Sequence, residues 1–73
     1  MTPREFDSAI LLTLGQVASI TGIDRRTVNR TLESGGVKVL RTGTWRRVER
    51  LAIERAMPAF YEVMVRKLED AGQ

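Results

Sequence analysis

Apolar residues recur at helical spacing soon after the start of the chain, and polar residues mark where that segment begins and ends. Thr13 and Gln16 have the spacing of a capping box, in which the two residues satisfy each other's backbone N–H groups. Leu14, Val17 and Ala18 then recur at helical spacing. Gly22 can adopt the left-handed conformation that ends a helix. The pattern predicts a short helix that begins at residue 14 and stops at Gly22.

A second amphipathic segment follows after a short turn. Asp24 is suited to cap a helix over residues 25–33, in which Val28 and Leu32 lie one turn apart on the inner face. Gly35 and Gly36 end this segment. Two short helices joined by a turn that contains glycine predict a helix-turn-helix over about residues 14–34.

The first residues also carry a helix-start signal. Thr2 and Glu5 repeat the capping-box spacing, and Pro3 suits the first helical position. This favours a helix over about residues 3–10. The alternative is a disordered start followed by a short strand at Leu11–Leu14.

Residues 37–48 are rich in β-branched and aromatic side chains around a glycine, which predicts a β-hairpin. A loop at Thr42-Gly43 places Leu40 opposite Trp45, and a four-residue loop over 41–44 keeps the same pair. Trp45 is the single tryptophan of the chain, and the pattern favours it as the core anchor of the hairpin over a base-stacking role. A hairpin directly after a helix-turn-helix is a wing.

Helical character returns over residues 49–56, and Met57-Pro58 interrupts it before a last helix at about 58–70. The last helix carries an apolar stripe that either packs into the core or forms a self-association surface. Its members are Met57, Phe60, Tyr61, Met64 and Leu68. The elements together predict a mainly α, single-domain winged helix-turn-helix over 1–73, with four to five short helices, one hairpin wing and C-terminal helices at about 49–71.

Charge is concentrated in the middle of the chain. Residues 24–50 hold eight basic and three acidic side chains, a net charge of +5, whereas the remainder carries a net charge of −2. A basic middle region is typical of proteins that bind polyanions. The longest apolar run, Ala9–Leu12, is too short to cross a membrane, so we expect a cytoplasmic protein.

Histidine and cysteine are both absent, which removes the common zinc sites and the usual acid–base and thiol chemistry. Neither a Gly-rich phosphate loop nor an obvious pair of carboxylates is present. We therefore expect no enzymatic activity, no cofactor and no metal. Because 73 residues leave no room for a separate ligand-sensing domain, we also expect no small-molecule effector.

The polar side chains of the second helix and of the wing are the candidate DNA contacts. Arginine and asparagine can each form two hydrogen bonds with a purine edge, which favours Arg26, Asn29 and Arg30 as base-reading residues. The first turn of that helix favours phosphate contacts from Arg25 and Thr27. A small basic tip suits phosphates or a narrow minor groove. The wing contacts predicted on this basis are Arg41, Thr42, Thr44 and Arg46.

The stretch Leu12–Met57 resembles the MerR-type, excisionase-like winged helix-turn-helix domains. The resemblance is carried by Thr27-Val28-Asn29-Arg30 in the second helix and by the Arg41–Arg47 segment of the wing. It implies that the 25–30 segment reads the major groove and that the wing contacts DNA from Arg41 to Arg46.

The sequence therefore predicts a protein that binds duplex DNA sequence-specifically and regulates transcription as a small Cro-like repressor of a phage or mobile element. One alternative is an excisionase, a recombination directionality factor that binds and bends DNA. Another is a protein-interaction module that uses the apolar last helix. A homodimer or an array along DNA, formed through the C-terminal helix, would lengthen the bound site.

Overall fold

Helices account for most of the chain, and three short strands lie between them. The computed structural model describes residues 1–72, with the exception of the Thr42 side chain. The helices are α1 (Pro3–Ser8), α2 (Leu14–Thr21), α3 (Arg25–Ser34), α4 (Arg50–Ala56) and α5 (Pro58–Ala71). The strands are β1 (Leu11–Thr13), β2 (Leu40–Thr42) and β3 (Trp45–Glu49). This is the mainly α layout of a winged helix-turn-helix, with five helices and an antiparallel sheet.

The N-terminal segment forms both of the elements that the sequence offered as alternatives. The hydroxyl of Thr2 accepts a hydrogen bond from the Glu5 backbone N–H at 3.1 Å, and the Glu5 carboxylate accepts one from the Thr2 N–H. The helix ends at Ser8, two residues earlier than expected, because Ala9 has extended dihedral angles. A strand at residues 11–13 then leads directly into α2.

The helix-turn-helix is confirmed, together with the signals that predicted it. Thr13 and Gln16 form the expected capping box at the start of α2, with distances of 3.0 and 2.9 Å. Gly22 ends α2 with a φ of 74°, a left-handed conformation that favours glycine. Val28 and Leu32 of α3 are fully buried in the core. Their burial fixes which face of α3 is turned away from the protein.

The wing is shorter than predicted and its register is different. Leu40 pairs with Arg47 and Thr42 pairs with Trp45, so the expected pair of Leu40 and Trp45 is wrong. Gly43 has a φ of 65° and occupies the first position of the two-residue loop. A positive φ is a common requirement at that position of a tight hairpin. Residues 37–39 precede β2 and are not part of the strand.

The hairpin belongs to a three-stranded antiparallel sheet in the order β1-β3-β2. Leu12 pairs with Val48, and both side chains are fully buried. Because side chains alternate between the two faces of a strand, Trp45 lies on the face opposite to Val48. Trp45 is 55% exposed, so the prediction that it anchors the core of the wing is wrong.

The C-terminal helices cover the rest of the core. Tyr61, Met64 and Leu68 of α5 are buried, which confirms the core alternative for the apolar stripe. Arg50, at the start of α4, links the residue that follows α1 with α5: its Nε donates to the Ala9 carbonyl oxygen at 2.8 Å, and its Nη1 donates to the Tyr61 hydroxyl at 2.6 Å. Within residues 1–72, no helix combines the length and apolar character that a membrane crossing requires.

Candidate nucleic-acid interface

The outward face of α3 presents arginine side chains. Successive helical residues are separated by about 100°, so the inward direction of Val28 and Leu32 places Arg26 and Arg30 on the opposite side. Both arginines are exposed. Among the described residues, the ion pairs involve only Arg41 and Arg66, so neither Arg26 nor Arg30 is neutralised by a carboxylate within 4.0 Å. The two guanidinium groups that sequence reasoning assigned to base edges are thus free to meet a ligand.

A cleft of about 580 Å³ lies between the N-terminal half of α3 and the tip of the wing. We call it the α3–wing cleft. It is lined from three directions, by the β1–α2 junction, by α3 and by the wing. The lining residues are Thr13, Leu14, Gly15, Arg25, Arg26, Asn29, Thr44, Trp45 and Arg46. The cleft therefore brings together five of the nine residues predicted as DNA contacts, and with them Trp45, which the sequence offered for base stacking.

Arg25 is held against the start of α2. A β-carbon at Gly15 would stand 3.2 Å from Arg25 Nη2 and 3.3 Å from its Nε, which is tighter than ordinary van der Waals contact. The glycine therefore lets the guanidinium lie against the helix backbone. This contact fixes a cation at the junction of the two helices, where α3 begins.

Asn29 lies on the flank of α3 that faces the wing, and it is only partly exposed. Its Oδ1 atom is buried and accepts no hydrogen bond within the described part of the chain. A buried acceptor without a partner costs about 1–3 kcal/mol, so a bound group or water that donates to it would stabilise the site. A two-bond contact with adenine would require this amide to rotate, whereas Arg26 and Arg30 point outward as they stand.

The first turn of α3 is organised by Asp24. Its Oδ1 accepts a hydrogen bond from the Thr27 backbone N–H at 2.7 Å. Hydrogen bonding from the Thr27 side chain, and next from its backbone N–H, lowers the pKa of the Asp24 carboxyl below its ordinary value. The charged cap stabilises the start of the helix that carries the candidate contacts. Thr27 itself is exposed beside this cap.

The predicted wing contacts divide into two groups. Thr44 and Arg46 line the α3–wing cleft. Arg41 instead approaches the far end of α3, where its Nη2 lies 3.5 Å from the Glu33 carboxylate. Both partners are largely exposed, so this ion pair contributes little to stability. The side chain of Thr42, the remaining predicted contact, lies outside the described residues.

Two features of the site were missed from the sequence. The position of Trp45 on the open face of the sheet depends on the pairing of β1 with β3, which no local signal indicates. Arg50 counted toward the basic middle region, yet it is bonded to Ala9 and Tyr61 inside the fold. An arginine at the start of a helix, followed by a tyrosine eleven positions later, gives no sequence signal for that contact.

Comparison with protein-family models, curated proteins and solved structures finds no match to this chain.

Proposed function

We propose that this protein binds duplex DNA sequence-specifically and acts as a small transcriptional regulator. In this proposal α3 lies in the major groove and the wing formed by β2 and β3 approaches the neighbouring backbone. Arg26 and Arg30 read base edges, and Arg25, Thr27, Thr44 and Arg46 contact phosphates. Asn29 supplies a further hydrogen-bonding group on the wing side of the helix.

The proposal is carried by one observation: several arginine side chains lie close together beside the exposed face of α3. Arg25, Arg26 and Arg46 line one cleft, and Arg30 continues the positive surface along α3. The described residues offer these four side chains no ion-pair partner. Like charges repel one another when they are brought together, and a polyanion removes that repulsion. In the proposed complex, the DNA phosphates are that polyanion.

A regulatory role fits the resemblance of the helix-turn-helix and the wing to MerR-type and excisionase-like domains. We propose a Cro-like repressor of a phage or mobile element that works in the bacterial cytoplasm on nucleoid DNA. Because a single copy covers a short site, we propose that copies bind as a dimer or an array. We propose a binding role rather than a catalytic one, since histidine and cysteine are absent from the sequence.

The alternative of a protein-interaction module depended on the apolar stripe of the last helix. Tyr61, Met64 and Leu68 are buried against the rest of the core, and Met57 and Phe60 are packed against it. A buried stripe cannot dock into the groove of a partner without unfolding the domain. We therefore do not retain this alternative.

Titration of labelled duplex DNA at two salt concentrations tests the proposal. If Arg25 and Arg46 neutralise about two phosphates, affinity should fall on the order of 10-fold between about 50 and 200 mM salt, because binding releases counterions. Arg66→Ala is the matched control: it removes an exposed arginine that pairs with Glu62 on α5, outside the cleft. Affinity that does not depend on salt would contradict the proposal. A footprint over several adjacent sites with a bend would assign an excisionase role instead of a repressor role.

A further inference from the structure

We propose that the α3–wing cleft holds one sugar–phosphate strand of the bound duplex, with the Trp45 indole packed against deoxyribose. This inference rests on the proposed function and adds to it. It assigns a role to Trp45 and to Arg47, neither of which was among the predicted DNA contacts. It also explains why the cleft combines arginines with apolar surface.

Trp45 is a large apolar residue that is exposed at the surface, and its exposure supports the inference. The residue is 55% exposed at the start of β3, beside the two-residue loop at the tip of the wing. It lies on the sheet face turned away from Val48 and the core. Large aromatic side chains contribute most to an interface when binding covers them, and tryptophan is enriched among such residues. Nothing among the described residues covers this indole fully, so binding can do so.

The lining of the α3–wing cleft combines apolar and positively charged side chains, which also supports the inference. Trp45 and Leu14 contribute apolar lining, while Arg25, Arg26 and Arg46 contribute positive charge. A nucleic-acid strand has the complementary pattern, since apolar sugar faces alternate with anionic phosphates. The volume of about 580 Å³ lies within the range of sites that enclose groups of nucleotide size.

The α3–wing cleft continues into a neighbouring cavity, which also supports the inference. A second cavity of about 380 Å³ shares Thr13, Gly15, Arg25 and Trp45 with the first, so the two adjoin at these residues. It extends along α2 and the open face of the sheet, and Gln16, Ser19 and Arg47 complete its lining. The two cavities thus form one trough that passes Trp45 and has arginines on either side of it.

The geometry of duplex DNA gives the trough its occupant. The major and minor grooves are separated by a single backbone, so a helix in one groove and a wing at the next have one strand between them. The α3–wing cleft occupies that position, and the rest of the trough continues from it along α2. Arg25 and Arg46 then face the phosphate nearest α3, and Arg47 faces a phosphate farther along the same strand.

The single tryptophan provides a direct test, because its fluorescence reports on Trp45 alone. Binding is measured by the polarisation of a label on duplex DNA, and the accessibility of the indole is measured by acrylamide quenching in the same samples. We expect quenching to fall when DNA is bound. If polarisation shows binding and quenching is unchanged, the strand-binding role of Trp45 is excluded while the proposed function stands. If no duplex binds, the proposed function itself is excluded and the inference with it.

Variants separate a sugar contact from a contact with bases. Trp45→Ala should weaken binding about fivefold to tenfold on all duplexes alike, in the range of a central aromatic contact, and Trp45→Phe should retain most of the affinity. Arg47→Ala should weaken binding and reduce its salt dependence. Leu51→Ala is the matched control, since Leu51 is an exposed apolar residue on α4 outside the trough, and it should bind as the wild type does. A change of sequence preference in Trp45→Ala, or equal losses in Trp45→Ala and Leu51→Ala, would overturn the inference.

Discussion

The guanidinium of Arg25 lies against the backbone of Gly15, so that a β-carbon at Gly15 would stand 3.2 Å from Arg25 Nη2. The contact joins the first turn of α2 to the first turn of α3. It places a positive charge at the edge of the α3–wing cleft, beside the residues that we assign to DNA. The glycine thus matters for the position of a cation and not for the conformation of the backbone.

Gly15→Ala should separate stability from DNA affinity. Alanine is favoured over glycine inside a helix by about 0.5–1 kcal/mol, so the free energy of unfolding should stay level or rise. Affinity for DNA should nevertheless fall about threefold, because the new methyl group displaces the Arg25 guanidinium from its phosphate. Chemical denaturation and a DNA titration measure the two quantities. Gly72→Ala, where a β-carbon meets only ordinary contacts at 3.5 Å, is the control and should bind normally. Unchanged affinity in Gly15→Ala would show that the position of Arg25 is unimportant for binding.

Arg46→Ala should weaken binding to every duplex by a similar factor. Its guanidinium lines the cleft from the wing and is assigned to a phosphate, which carries no sequence information. Loss of one phosphate contact should reduce the slope of log affinity against log salt by about 1. Titrations of two unrelated duplexes over a series of salt concentrations measure this slope. A loss confined to one of the two duplexes would indicate that Arg46 contacts a base.

Arg50→Ala should destabilise the fold without a specific effect on DNA. The side chain donates to the Ala9 carbonyl oxygen and to the Tyr61 hydroxyl, and its guanidinium carbon lies 5.8 Å from the centre of the Phe6 ring. Loss of these partly buried contacts should lower the free energy of unfolding by about 1–3 kcal/mol. Urea denaturation measures the change, and the folded variant should bind DNA as the wild type does.

The control for Arg50 is an arginine that is equally charged but exposed. Arg66 pairs with Glu62 one turn away at 2.6 Å on the surface of α5. Its replacement by alanine should change the free energy of unfolding by less than about 0.5 kcal/mol, as is usual for exposed pairs. Equal losses in the two variants would mean that the Arg50 contacts do not stabilise the fold.

Asp24 should make stability depend on pH in the acidic range. Hydrogen bonding from Thr27 lowers the pKa of Asp24 in the folded protein below its ordinary value of 3.8. The charged cap therefore stabilises the fold at pH values above that ordinary pKa. This stabilisation is lost as the pH falls through the lowered pKa of Asp24 in the folded protein. Asp24→Asn keeps a capping side chain that does not titrate.

The free energy of unfolding of wild type and Asp24→Asn should be compared between about pH 2 and pH 6. The free energy of unfolding of the wild type, relative to that of Asp24→Asn, should be greatest at the upper end of this pH range. The difference between the two proteins should shrink toward the lower end. The lowered pKa of Glu5, caused by its hydrogen bonds with Thr2, affects both proteins equally and cancels. A difference that stays constant with pH would show that the Asp24 charge does not stabilise α3.

The helices could be predicted because their signals are local. The capping boxes of Thr2 and Thr13 and the left-handed Gly22 each act within a few residues of the helix ends that they define. The one-turn spacing of Val28 and Leu32 predicts that both face inward, and their burial confirms this. The same spacing indicates which side of α3 faces outward, so the base-reading candidates on that side could be predicted from the sequence.

The sequence predicts the wing but not which face of it is buried, because that face depends on pairing with a distant strand. The alternating pattern from Trp45 to Val48 allows either Trp45 and Arg47 or Arg46 and Val48 to face inward. Val48 takes the inward position because Leu12 of β1 pairs with it and buries it, whereas Arg46 lies nearer the tip of the wing and stays exposed. That pairing joins residues 36 positions apart, and the exposure of Trp45 follows from it.

Selection of bound sequences from random duplex DNA tests the central claim, that the outward face of α3 reads DNA sequence, most directly. The wild type, Arg30→Ala and the control Arg66→Ala are carried through the same selection. We predict one consensus for the wild type and the control, and a consensus relaxed at one base position for Arg30→Ala. On the wild-type consensus Arg30→Ala should cost about 1–3 kcal/mol of binding free energy. Recovery of no consensus by the wild type, or full affinity and an unchanged consensus for Arg30→Ala, would contradict the claim.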